Sequence, residues 1–222
     1  MNQIKTKRER VKFASDNVTG ACPEVLDAII KANDEDRTPY GNDELSKNLQ
    51  DKFSEIFEKE VIVFPTASGT AANALALSTM TPSFGNIYCH RLAHINVDEC
   101  GAPEFYTGGA KLVNLNGING KILPEELDIN ITGKGIVHHT QPSSVSITQL
   151  CETGEAYQLD EIKKISEIAH KHKLNIHMDG ARFANALVSL NCSPAEMTWK
   201  SGIDVLSFGA TKNGCFAAEA II

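Results

Sequence analysis

Apolar positions along this chain recur with two periods, and the two alternate. Segment 23–33 has helical spacing, with Val25, Leu26, Ile29 and Ile30 forming a stripe behind Pro23, a residue suited to an opening helical position. Segment 42–60 repeats the pattern through Leu45, Leu49, Phe53, Ile56 and Phe57. The clearest helix is 159–172, where Leu159, Ile162, Ile165, Ile168 and Ala169 make the buried stripe. Its acidic start (Asp160, Glu161) and basic end (His170, Lys171, His172) match the helix dipole. Short apolar runs at 61–64, 86–89, 111–115, 135–139, 174–178 and 203–208 predict strands. Strands alternating with helices predict an α/β fold, a mainly parallel sheet sandwiched by helices, with ligands gathering at the carboxyl ends of the strands. The final AAEAII (217–222) reads as the start of a strand that stops, so the chain is expected to be truncated.

Composition narrows the function classes. The 222 residues suit one sizeable α/β core and are few for two full domains. A net charge of −7 argues against a nucleic-acid binder, which needs clustered Lys and Arg. The one basic run (Lys5, Lys7, Arg8, Arg10, Lys12) has no apolar stretch after it and reads as a solvated face, not a signal peptide or membrane anchor. Six scattered cysteines without a CxxC pair are expected to be free, mostly buried thiols, which points to the cytoplasm.

Three motifs carry candidate chemistry. In PTASGTAANALAL (65–77) small residues lead from a strand into a helix beginning near Gly69 or Thr70. Backbone amides there, beside the Ser68 and Thr70 hydroxyls, can hold a phosphate, although an ordinary junction capped by Ser68 looks the same. In HMDGARFANAL (177–187), Asp179 stands at a strand end, Gly180 permits close approach of a ligand or backbone, and Arg182 offers a planar fork for a carboxylate. A capping Asp with an Arg in an ion pair is the plainer alternative. His177 and Asp179 lack a third ligand at metal-site spacing, so no metal is expected. In SFGATKNG (207–214), Lys212 sits among small residues, where partial desolvation would favour an amine that attacks carbonyls. A loop lysine reaching solvent is the alternative.

These motifs, in this order, resemble the aspartate-aminotransferase-like large domain of pyridoxal-phosphate enzymes, and within it the threonine aldolase / β-eliminating lyase family. FASDNVTGACPEVLDAI (13–29), TPYGNDELSKNLQ (38–50) and HINVDECGAPEF (94–105) are similar to further stretches of that family. The resemblance implies pyridoxal 5'-phosphate as cofactor, joined to Lys212, with Asp179 on the pyridine nitrogen and His94 stacked on the ring. Ser68, Gly69, Thr70 and Thr211 would surround the phosphate. Ser15 and Arg182 would bind the substrate carboxylate, and Tyr40 would reach a neighbouring subunit's site in a homo-dimer or homo-tetramer.

By the same resemblance, residues 1–60 would form a substrate-binding and dimer-contact segment. Residues 61–222 would form an incomplete cofactor domain lacking the small C-terminal domain. The implied reaction cleaves L-threonine, L-allo-threonine and related β-hydroxy-α-amino acids to glycine and an aldehyde. Some family members carry a His after the strand corresponding to 135–139. Here that stretch is TQPSSVS (140–146), which leaves His94 or a water to accept the β-hydroxyl proton. The competing expectations are another pyridoxal-phosphate lyase or aminotransferase, and an inactive truncated relative.

Overall fold

The computed structural model describes residues 14–33 and 36–222. The basic run at 5–12 and Phe13 lie outside the described residues. After a short turn at Asp16–Val18, the chain forms α1 (Pro23–Asn33), α2 (Glu44–Ile56), β1 (Phe64–Thr66), α3 (Gly69–Met80) and β2 (Gly85–His90). Two short helices, α4 (His94–Val97) and α5 (Ala102–Tyr106), lead to β3 (Lys111–Leu115). A small hairpin of β4 (Gly117–Ile118) and β5 (Lys121–Ile122) precedes α6 (Pro124–Asn130) and β6 (Gln141–Thr148). The remainder is α7 (Leu159–Lys171), β7 (Asn175–Gly180), α8 (Phe183–Leu190), α9 (Pro194–Met197), β8 (Val205–Gly209) and β9 (Glu219–Ile221).

Seven strands make one sheet in the order β1-β9-β8-β7-β6-β2-β3. The pairs from β3 through β8 are parallel, while β9 runs antiparallel to both β1 and β8. Within the run at 217–222, Glu219–Ile221 form β9, an interior strand of the sheet.

Both faces of the sheet are covered, and the two-residue period of a strand sends alternate side chains to different layers. Tyr88, Val145, Ile147, Ile176 and Met178 join the main core, with Ile162, Ile165 and Ala169 of α7. Ile87 and Cys89 point the other way, into a second cluster with Leu77 of α3. On that α3 face, β6, β7 and β8 place buried polar groups instead: Ser144, Ser146, Thr148, His177, Asp179 and Ser207.

Several expectations need correction. Val61–Val63 are unpaired, because the Gln50 side chain takes both backbone groups of Val63 (Nε2 to the carbonyl 2.7 Å, amide to Oε1 2.8 Å). The run at 135–139 is a loop, not a strand, with Val137 91% exposed. Gln141 holds this loop by accepting from the Gly135 amide (2.8 Å) and donating to the His139 carbonyl (2.8 Å). The strand is the serine-rich segment that follows, whose polar residues find partners inside: Ser144 Oγ lies 2.7 Å from Thr81 Oγ1. The helix expected at 42–60 ends at Ile56, and Asp43 caps it by accepting from the Ser46 amide (3.0 Å). The stripe of α1 is not buried within the chain, with Leu26, Ile29 and Ile30 all exposed. Of the cysteines, only Cys89 and Cys151 are buried.

Ile176, fully buried between β6 and β8, is a direct test of this layering. Ile176→Ala is expected to lower unfolding free energy by about 3 kcal/mol, read from urea denaturation, through lost burial and the cavity left behind.

Candidate active site

The motif residues converge because neighbouring parallel strands end together. Asp179 pairs with Ser207 across β7 and β8, so the turns that follow the two strands lie side by side. Gly209 makes this possible, since a Cβ there would stand 2.6 Å from the Ala181 Cα. Gly180 has the same use: its Cβ would meet the Ser207 carbonyl at 2.8 Å, so its smallness serves strand packing. Lys212 follows in a 3-10 turn, Thr211–Asn213, with its side chain only 13% exposed.

A cavity of about 240 Å³ is lined by Ser68, Gly69, Thr70, His94, Asp179, Thr211 and Lys212, seven of the residues singled out by sequence. A larger groove of about 710 Å³ is walled mainly by apolar side chains such as Phe57, Ile62, Phe64, Leu75 and Ile221. The chemistry is concentrated in the smaller cavity. Ser68 caps α3, its hydroxyl accepting from the Ala71 amide at 3.2 Å, which leaves the Gly69 and Thr70 amides at the helix opening available to an anion. The Thr211 hydroxyl accepts from the Ala218 amide (3.2 Å) and ties the lysine turn to the start of β9.

Asp179 is buried, and both its oxygens have donors: Oδ1 from the Ala181 amide (3.0 Å) and Oδ2 from Asn73 Nδ2 (2.9 Å). Asn73 also donates to Glu99 Oε1 (2.8 Å), which in turn lies 2.9 Å from His94 Nδ1. The Glu99 hydrogen bond raises the His94 pKa above its ordinary value against the opposing effect of burial, and the charges of Glu99, Asp179 and Glu152 add to the rise. Burial also pushes the Glu219 carboxyl above the usual range, opposed by hydrogen bonds from Thr211. Asn73, Glu99, Glu219 and Asn17 line the cavity, and motif reading gave none of them a role. The signal for Asn73 was a lone amide in an otherwise small and apolar helix.

Three expected residues lie outside the cavity wall. Arg182 is half-buried and bound to Asp16, Nε to Oδ2 at 2.7 Å, with Glu152 Oε2 3.7 Å from its Nη1. Ser15 caps the first turn by accepting from the Asn17 amide (3.2 Å). Tyr40 is 96% exposed.

The family model described as beta-eliminating lyase matches residues 12–222. The chain belongs to the beta-eliminating lyase family. Within this family it is 46% identical to the low specificity L-threonine aldolase of Pseudomonas sp. (strain NCIMB 10558), over 95% of this chain and 61% of that one. It is 43% identical to the enzyme of the same name from Pseudomonas aeruginosa, with the same coverage. The chain thus spans about three fifths of the length of those relatives. Among solved structures, Leishmania major threonine aldolase superposes with a TM-score of 0.86 at 28% identity, covering 93% of this chain and 60% of that one. A putative L-allo-threonine aldolase from Listeria monocytogenes shares the fold, with a TM-score of 0.72 at 21% identity, covering 91% and 56%. The fold is that of the pyridoxal-phosphate enzymes of the aspartate-aminotransferase type.

His177 lies on the same strand face as Asp179, two residues before it, and is fully buried. Its Nδ1 is 2.9 Å from Ser146 Oγ and its Nε2 2.8 Å from Ser207 Oγ. Burial pushes its pKa down to about 4, so the imidazole is neutral in the folded chain. Between about pH 6.5 and that value, the unfolded chain takes up a proton that the folded chain refuses. Stability is therefore full above this window and falls with pH inside it, by up to about 3 kcal/mol from this group. Urea denaturation at about pH 7 and about pH 4.5 should show a smaller acid loss in His177→Gln than in the parent.

Proposed function

We propose that this chain binds pyridoxal 5'-phosphate through Lys212. In its enzyme it would cleave L-threonine, L-allo-threonine and related β-hydroxy-α-amino acids to glycine and an aldehyde. One observation carries the reading: Lys212, the buried Asp179 carboxylate and the open amides of α3 line a single cavity at the carboxyl ends of the strands. Two buried atoms of cavity-lining residues without a hydrogen-bond partner (Asn73 Oδ1, Glu99 Oε2) are consistent with a polar ligand at this place.

The residues present fit that cofactor. Gly69 and Thr70 amides, with the Ser68 and Thr70 hydroxyls, would take its phosphate, and Thr211 stands on the same wall. Asp179, fixed by Asn73 and the Ala181 amide, would hold a proton at the ring nitrogen. When bound, pyridoxal phosphate supplies an electron-accepting ring that takes up the pair released as a bond at the substrate α-carbon breaks. His94, oriented by Glu99, would cover the ring, and its imidazole is also a candidate acceptor for the β-hydroxyl proton. Arg182 and Ser15 would orient the substrate by its carboxylate, setting which bond breaks.

The domain reading assigns residues 61–222 to cofactor binding and 1–60 to substrate and subunit contacts. The exposed apolar stripe of α1 and the exposed Tyr40 support a homo-dimer or homo-tetramer with sites shared between subunits. A cytoplasmic setting accords with the free cysteines.

Absorbance of the purified chain with pyridoxal phosphate, beside Lys212→Ala, tests the cofactor assignment. A visible band that borohydride abolishes is expected in the parent and not in the variant. Its failure to form in folded parent protein sinks the assignment. Acetaldehyde release from L-threonine then tests the reaction, whereas release of a keto acid and ammonia would indicate elimination instead.

A further inference from the structure

Asp16 occupies an unusual position for an acid beside a site proposed to admit the carboxylate of an amino acid. Its carboxylate faces the Nε/Nη2 edge of Arg182, with Oδ2 2.7 Å from Nε and Oδ1 3.4 Å from Nη2. That two-pronged approach is how a guanidinium takes a carboxylate ligand. The same Oδ1 lies 3.9 Å from Lys212 Nζ, so the carboxylate sits between the two cations. In an α-amino acid the carboxylate and the amine are attached to one carbon. A substrate whose amine is delivered to the Lys212 position must therefore set its carboxylate a short reach away.

We propose that Asp16 is a resident carboxylate that occupies the substrate carboxylate's place on Arg182 and yields it when an amino acid binds. The proposal rests on the reading of Arg182 and Lys212 given above. Charge crowding at Arg182 favours such an exchange. Arg182 already has Glu152 Oε2 3.7 Å from Nη1 as well as Asp16, so a third carboxylate would leave one guanidinium among three anions. Asp179 and Glu219, both on the wall beside Lys212, add further acidic groups.

Of the acids around Arg182, Asp16 is well placed to move. Its side chain is 40% exposed, and it opens a three-residue turn that has no buried residue. The turn is held by light contacts, the Asn17 amide donating to the Ser15 hydroxyl and the Thr19 hydroxyl donating to the Asp16 carbonyl (3.1 Å). Against the opposing effect of burial, the Arg182 hydrogen bond and the Arg182 and Lys212 charges keep the Asp16 carboxyl below its ordinary range, so it is an anion at neutral pH and a true competitor. An ion pair this exposed is of modest strength, so removing the competitor should tighten carboxylate binding by about fivefold.

The test compares glycine with methylamine, which has the amine but no carboxylate. Both are titrated calorimetrically into the pyridoxal-phosphate-loaded chain, for the parent, Asp16→Asn and Asp16→Ala. Glycine is expected to bind about fivefold more tightly to both variants, with methylamine unchanged. Weaker or equal glycine binding in the variants overturns the proposal and makes Asp16 a support for Arg182. A second probe needs no cofactor: acetate is titrated into the unloaded chain while the Arg182 Nε–H resonance is followed by NMR. The resonance is expected to respond at lower acetate concentration in Asp16→Ala than in the parent. No difference there counts against the proposal even if the cofactor reading has failed, so the two failures remain distinguishable.

Discussion

Two buried carboxylates, Asp179 and Glu99, share one donor group, the side-chain amide of Asn73. Withdrawing two acids from water is expensive unless each finds donors, and Asn73 spends both N–H groups on them. The bridge connects elements that are distant in sequence: α3 carries Asn73, β7 carries Asp179, and the loop after α4 carries Glu99. The α3 opening at Ser68–Thr70 lies one turn before Asn73, and His94 rests on Glu99. The geometry of the cavity is thus an extension of how the chain supplies donors to two buried acids.

The same logic extends along the sheet. The face toward α7 is apolar and supplies the bulk of hydrophobic burial, while the face toward α3 carries serines, a threonine, a histidine and an aspartate. Each buried polar group there must be matched, and strand register does the matching. Ser146 pairs with His177 across β6 and β7 and meets its Nδ1, while Ser207 on β8 meets its Nε2. A neutral His177 held from both sides gives Asp179 a polar floor without a competing cation. Structural polar groups and candidate chemistry are therefore one continuous layer.

Much of this was legible from residue order. The helices 23–33 and 159–172, the strand 111–115 and the cap at Ser68 agree with the local pattern because each rests on local physics: period, capping and dipole. The three motifs were also readable, since small residues and glycines at strand ends mark where backbones must come close. The serine-rich β6 was not, because the hydrophobic period is silent when one face of a strand is satisfied by hydrogen bonds. The run at 135–139 misled for the converse reason: it is apolar but held as a loop by Gln141.

Local sequence also could not reveal which distant groups would meet. Arg182 and Asp16 are 166 residues apart, and Asn73 and Asp179 are 106 apart. Nothing in the neighbourhood of either residue specifies the other, and only the packing of α3 and the first turn against the strand ends joins them. Strand β9 is the clearest case. A short run at 217–222 has the composition of a strand, but its place between β1 and β8, antiparallel to both, follows from hydrogen-bonding edges that exist only once those strands are laid down. Residue types and spacing set the chemistry that was available, and long-range pairing set which of it came together.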